Sequence, residues 1–149
     1  MSVALLDVNV LVALAWPTHI YHHAAHRWFE QNHSKGWATC PLTQCGFVRV
    51  SSNSNIIREA VEPMEALALL RQIVTLNGHT FWPDALPLVD ESVPTDLLAG
   101  HRQITDAYLL GLAIHNQGRL ATLDRGVAAL LSETSPFKSA LEFIPVEIL

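Results

Sequence analysis

Residues 3–16 read VALLDVNVLVALAW. The segment SVALL is a short continuous apolar run, the pattern of a strand covered on both faces. Asp7 interrupts it, Asn9 follows two residues later, and a helix is predicted to begin just after Asp7. A carboxylate at the end of a buried strand is costly without a partner. Position 7 therefore asks for a function beyond capping the next helix.

The rest of the chain repeats the strand-then-helix rhythm. HIYHHAAHRWFEQN predicts a second helix with Ile20, Ala24 and Trp28 on one side. GWATCPL predicts a strand stopped by Pro41, and TQCGFVRVSSN a helix capped near Thr43. EPMEALALLRQIVTLNG is the clearest helix, with Pro63 in its first turn, Leu67, Leu70 and Val74 at helical spacing, and Gly78 as its stop. HTFWP predicts a strand. ITDAYLLGLAIHNQG predicts a helix with Thr105 as cap and Gly118 as stop, RLATLD a strand, and FIPVEIL a last edge strand that tolerates Pro145. Alternating strands and helices imply an α/β class with a mainly parallel sheet. With no linker or repeat in view, residues 1–149 are expected to form a single domain.

Composition narrows the function. Half of the residues are hydrophobic and 15% are charged, a globular balance. The net charge of −5 excludes nucleic-acid binding through bulk positive charge, so any polyanion must meet a local patch or a metal ion. Cys40 and Cys45 are too few for a disulfide framework or a zinc set and are expected to be reduced and half-buried. No segment has the layout of a signal peptide or the length of a membrane span, so a soluble cytoplasmic protein is expected.

Open parallel sheets bind ligands beyond the carboxyl ends of their strands. Asp7 ends the first strand, Asp124 ends RLATLD, and Asp106 opens the helix before it. If the two strands are neighbours, three carboxylates converge on one edge. Like charges would raise one another's pKa, and a divalent cation removes the conflict. Hard oxygen ligands suit Mg²⁺ or Mn²⁺, not zinc. Such ions activate water and polarise phosphoryl groups.

With these residues in view, LLDVNVLVAL, TDAYLLGLA and LATLDRG resemble the PIN-domain ribonucleases, in particular the VapC toxins of bacterial toxin–antitoxin pairs. PLTQCGFVRV and FWPD extend the resemblance in the right order over nearly the whole chain. The resemblance implies a PIN-like α/β/α sandwich and Mg²⁺- or Mn²⁺-dependent cleavage of RNA, with tRNA or rRNA loops as plausible targets. It also implies a homodimer and a small VapB-like antitoxin that blocks activity. Asp7, Asp106 and Asp124 match the family's metal-binding acids, and Asn9 its Asp-x-Asn opening. Thr122 and Arg125 match the polar residue and arginine beside the last acid. Gln44 stands where many members carry a glutamate. It keeps a carbonyl oxygen for the catalytic site but removes one charge.

Arginine makes bidentate contacts with phosphate. Arg49, Arg102, Arg119 and Arg125 flank the pocket segments, and Arg49, Arg102 and Arg125 are the preferred substrate contacts, with Asn9 and Thr122 beside them. The pairs His19/His23 and His22/His26 have helical metal-site spacing but no third ligand type nearby, so groove or surface roles are expected. Trp16, Trp28, Trp37 and Trp82 are expected mainly in packing or partner contact. The acids of LNGHTFWPDALPLVDES are read as loop residues, with Asp96 a weak fourth-ligand candidate. A receiver-type signalling domain is a poor fit, because neither Lys35 nor Lys138 follows a clear central strand. A catalytically weak RNA- or partner-binding module is the remaining alternative.

Overall fold

A computed structural model describes residues 2–146. Five strands, β1 (Ala4–Leu6), β2 (Trp37–Thr39), β3 (His79–Phe81), β4 (Arg119–Thr122) and β5 (Leu141–Phe143), form one sheet in the order β3-β2-β1-β4-β5. Every pairing is parallel, with Leu5 opposite Ala38 on one side and Leu120 on the other. The helices are α1 (Val8–Ala15), α2 (His22–Asn32), α3 (Pro41–Ser51), α4 (Pro63–Ile73) and α5 (Ile104–His115).

Alternation along the strands sorts the helices into two layers. Leu5, Ala38 and Leu120 pack with α5 through Leu109, Leu110, Leu112 and Ala113. Ala4, Leu6, Trp37 and Ala121 pack on the opposite face with Val10 and Leu11 of α1, Trp28 of α2, Phe47 of α3 and Leu70 of α4. The result is an α/β/α sandwich. Both faces of the central strands are covered, which is why β1 reads as an unbroken apolar run.

Two glycines set local geometry. Gly46 lets α3 approach α1, because a Cβ there would lie 2.5 Å from Cγ2 of Val8. Gly78 takes a positive φ of 91° in the turn into β3, where a side chain would meet the His33 carbonyl.

Element boundaries differ from the sequence reading in instructive ways. Pro41 does not merely end β2; it occupies the first turn of α3, where its missing N–H is no loss. Cys40 is therefore the N-cap, and Thr43 lies in the first turn, accepting from the Cys40 amide at 2.9 Å. α2 starts at His22, which leaves Ile20 outside it and exposed. α4 stops at Ile73, and Gly78 belongs to the following turn. Gln103, not Thr105, precedes α5, because a 3-10 turn at His101–Gln103 leads into it. β5 is an edge strand but ends at Phe143, so Pro145 lies beyond it. Residues 147–149 of the FIPVEIL segment lie outside the described residues.

Candidate active site

β1 and β4 are adjacent, and the chain leaves them toward different parts of the fold. This makes the cleft at their carboxyl ends the crossover position where α/β sheets bind ligands. A cavity of about 400 Å³ lies there, lined by Asp7, Asn9, Asp106 and Asp124 together with Val12, His19, Val50 and Ile56. Three carboxylates that stand 99 and 18 positions apart in sequence therefore face one space.

Each acid is also a helix-start residue. Asp7 caps α1, and its Oδ1 accepts the Val8 amide at 2.7 Å. Asp124 caps the 3-10 turn Arg125–Leu130, and its Oδ1 accepts the Gly126 amide at 2.9 Å. Asp106 lies in the first turn of α5. Helix N-termini favour negative charge, which makes these positions tolerable for acids.

A small network fixes their arrangement. The Thr122 hydroxyl donates to Asp7 Oδ2 at 2.8 Å and accepts the Asp124 amide at 3.0 Å. Asn9 Nδ2 donates to the Thr122 hydroxyl at 3.1 Å, while its Oδ1 accepts the Leu123 amide at 3.1 Å. Asn9 thus ties the exit of β1 to the exit of β4. Thr122 is fully buried and its hydroxyl is committed to three partners. It positions the acids and has no free edge for substrate, contrary to the sequence expectation.

The electrostatics leave negative charge in need of a counter-ion. Burial pushes the Asp106 carboxyl up to about 6, reinforced by repulsion from Asp7 and Asp124. Burial also raises Asp7; its bonds to Thr122 and Val8 oppose the rise, and Asp124 adds to it. No positive group figures among the influences on either acid. Among the described residues, no three His, Cys, Asp or Glu groups are gathered into a ready-made metal cage. An open, all-oxygen carboxylate lining of this kind fits an ion that retains several waters, as Mg²⁺ does.

Other candidates fall elsewhere. Gln44 does not line the cavity; its amide donates to Thr39 Oγ1 at 3.0 Å, and that hydroxyl also pairs with His79 Nε2 at 2.8 Å. Arg49, Arg102 and Arg125 are exposed and none lines the cavity; in sequence Arg49 adjoins the lining residue Val50, Arg102 precedes Asp106 by four residues and Arg125 follows Asp124. The Arg125 guanidinium lies 5.1 Å from the centre of the Phe143 ring. Arg119 sits at the opposite end of β4, where it pairs with Glu142 and the Ser2 carbonyl. That network holds the sheet edge, since Glu142 also accepts Trp28 Nε1 at 2.6 Å.

The histidine cluster is largely structural. His22 Nδ1 bonds the Ala13 carbonyl at 2.7 Å and His26 Nε2 the Leu14 carbonyl at 2.9 Å. They satisfy carbonyls that the last turn of α1 leaves without helical partners. Trp28, Trp37 and Trp82 are buried, which places them in packing. Cys40 is buried but Cys45 is exposed, and both are free thiols. Asp90, Glu91 and Asp96 line a separate groove of about 760 Å³ that contains none of the three site aspartates.

Sequence reading did not place His19, Val12, Val50, Ile56 or Ile57 at the site. His19 was visible as one of a histidine group. Ile56 and Ile57 fall in an irregular segment where apolar spacing carries no directional signal.

The PIN-domain family model matches residues 4–130. Ribonuclease VapC39 of Mycobacterium tuberculosis is 49% identical over 126 residues, covering 84% of this chain and 91% of the relative. Ribonuclease VapC38 of the same organism is 48% identical over 130 residues, covering 87% and 91%. Ribonuclease VapC29, also from that organism, is 41% identical over 126 residues, covering 85% and 89%. The chain belongs to the PIN-domain family, in its VapC group.

Proposed function

We propose that this protein is a Mg²⁺- or Mn²⁺-dependent endoribonuclease that acts as the toxin of a toxin–antitoxin pair. The observation that carries this reading is the meeting of Asp7, Asp106 and Asp124 on one cavity whose lining, among the described residues, holds no Lys or Arg. These three carboxylates hold the ion, which supplies Lewis-acid activation of water and of the phosphoryl group. Asn9 and Thr122 keep Asp7 and Asp124 in place. Gln44 acts from behind, through Thr39. Arg49, Arg102 and Arg125 hold the RNA backbone at the rim, which lets an acidic protein bind a polyanion locally. Exposed loops of tRNA or rRNA are the substrate class, since unpaired bases can be splayed out for recognition.

The relatives' VapC names support a VapB-type antitoxin as partner. A homodimer and a cytoplasmic location complete the reading; among the described residues no helix is long and apolar enough to cross a membrane. The absence of a carboxylate at position 44 favours one rival, a PIN-like module that binds RNA without cutting it. Incubating the purified protein with total bacterial RNA, in Mg²⁺, Mn²⁺ or chelator, separates them. Metal-dependent fragments that disappear in Asp7→Asn support the nuclease. Tight binding with intact RNA overturns it in favour of the module.

A further inference from the structure

The lining of the acidic cavity divides by element. The sheet edge and the start of α5 supply the carboxylates, whereas the second turn of α1, the last turn of α3 and the loop after it supply Val12, Val50, Ile56 and Ile57. Metal-assisted phosphodiester cleavage does not itself call for this aliphatic wall. Among these wall residues stands His19, the one imidazole in the lining. Its Nδ1 accepts the Tyr21 amide at 3.0 Å, which orients the ring and leaves the proton of the neutral form on Nε2. Burial and the neighbouring His22 both hold this imidazole below its usual value, so it is neutral near neutral pH. Tyr21 lies beside it, with ring centres 6.0 Å apart.

A neutral donor set among aliphatic side chains is poorly suited to phosphate, which calls for positive charge. It is well suited to a flat heteroaromatic with an edge acceptor. The whole cavity, carboxylate end included, has a volume of about 400 Å³, toward the small end of ligand sites of roughly 300–1,000 Å³. We propose that His19, Val12, Val50, Ile56 and Ile57 form a pocket for one unpaired nucleobase adjoining the scissile phosphate, with His19 Nε2–H donating to the base edge. The pocket makes cleavage base-selective at one position. This inference rests on the ribonuclease reading for its substrate but makes a separate claim about these side chains.

The test uses short single-stranded RNAs carrying one 2-aminopurine at successive positions, titrated with full-length protein in Ca²⁺. Cleavage ends are mapped in parallel on a randomised RNA in Mg²⁺. Wild type should raise the probe's emission at one position, as the base leaves its stacked neighbours, and show a base preference there. His19→Ala should weaken binding about 2- to 12-fold, as loss of one hydrogen bond does, and should flatten the preference. Ile56→Asp, a change at an exposed residue that leaves the core intact, should do the same. An unchanged rise in emission and unchanged preference in both variants would overturn the pocket while leaving the nuclease standing. A rise in emission that depends on His19 without any cleavage would sustain the pocket and end the nuclease reading. No binding and no cleavage by wild type would overturn both. If the wall serves a peptide of the antitoxin instead, RNA binding will be unaffected and only neutralisation will weaken, which also overturns it.

Discussion

The Thr122 hydroxyl donates to Asp7 Oδ2 at 2.8 Å across 115 residues of sequence. The same oxygen accepts the backbone amide of Asp124, so one buried hydroxyl coordinates two of the three acids. Thr122→Val keeps the shape and removes the donor. It should destabilise the fold by about 1–3 kcal/mol, because polar partners are left unsatisfied. It should also raise the Asp7 carboxyl further, since the Thr122 bond is the larger of the two that oppose burial. Thermal melts and the pH dependence of cleavage check this, with the cleavage midpoint moving to higher pH. Thr122→Ser should restore both.

Asp106 links stability to pH with a definite sign. Its folded value is about 6 against an ordinary 3.8, so the folded chain binds more protons between those values. The contribution of Asp106 to metal-free stability should therefore fall as pH rises through about 6. Mg²⁺ favours the ionised form and should stabilise more at about pH 7.5 than at about pH 5. Asp106→Asn should flatten the metal-free dependence in that window, reduce the Mg²⁺ effect and lower cleavage by about 100-fold or more. Melting curves at several pH values, with and without Mg²⁺, decide the matter. Because the lowered His19 and His79 contribute in the opposite direction, the comparison is with the variant: the same metal-free pH dependence in wild type and Asp106→Asn would contradict the assignment.

Gly46 packs against Val8, the residue whose amide bonds Asp7. A methyl group added there would press on a β-branched side chain with little freedom to move. Gly46→Ala should cost about 1–3 kcal/mol despite alanine's better helix propensity. The melting temperature should fall by roughly 2–10 °C. Cleavage should fall as well, through displacement of Asp7. An equal or higher melting temperature would show that α1 and α3 can separate freely.

Gln44 touches Thr39 and stands outside the cavity lining. Gln44→Ala should retain metal-dependent cleavage within about tenfold, the lower end for loss of an outer supporting contact. Asp7→Asn should abolish it. Comparable loss in the two variants would place the Gln44 carbonyl at the ion itself. Initial rates across a Mg²⁺ titration measure the difference.

Much of this architecture was legible in the chain. The unbroken SVALL run, the long amphipathic segment after Pro63 and the apolar segment after Asp106 specify a buried parallel sheet with covering helices. Hydrophobic periodicity is a short-range property, so residue order alone reveals it. It also located Asp7, Asp106 and Asp124 at element junctions. Boundaries were less legible where one residue serves two roles, as Pro41 does between β2 and α3. What only tertiary structure decided was which groups share a space. The placing of β4 beside β1 unites Asp7 with Asp124 and turns Thr122 from a possible substrate contact into a buried tie. Tertiary packing also draws Gln44 to Thr39, sends Arg119 to the far end of β4, and brings His19 and Ile56 to the acids. The physical reason is that burial and carboxylate repulsion depend on distance in space, and strand order sets that distance.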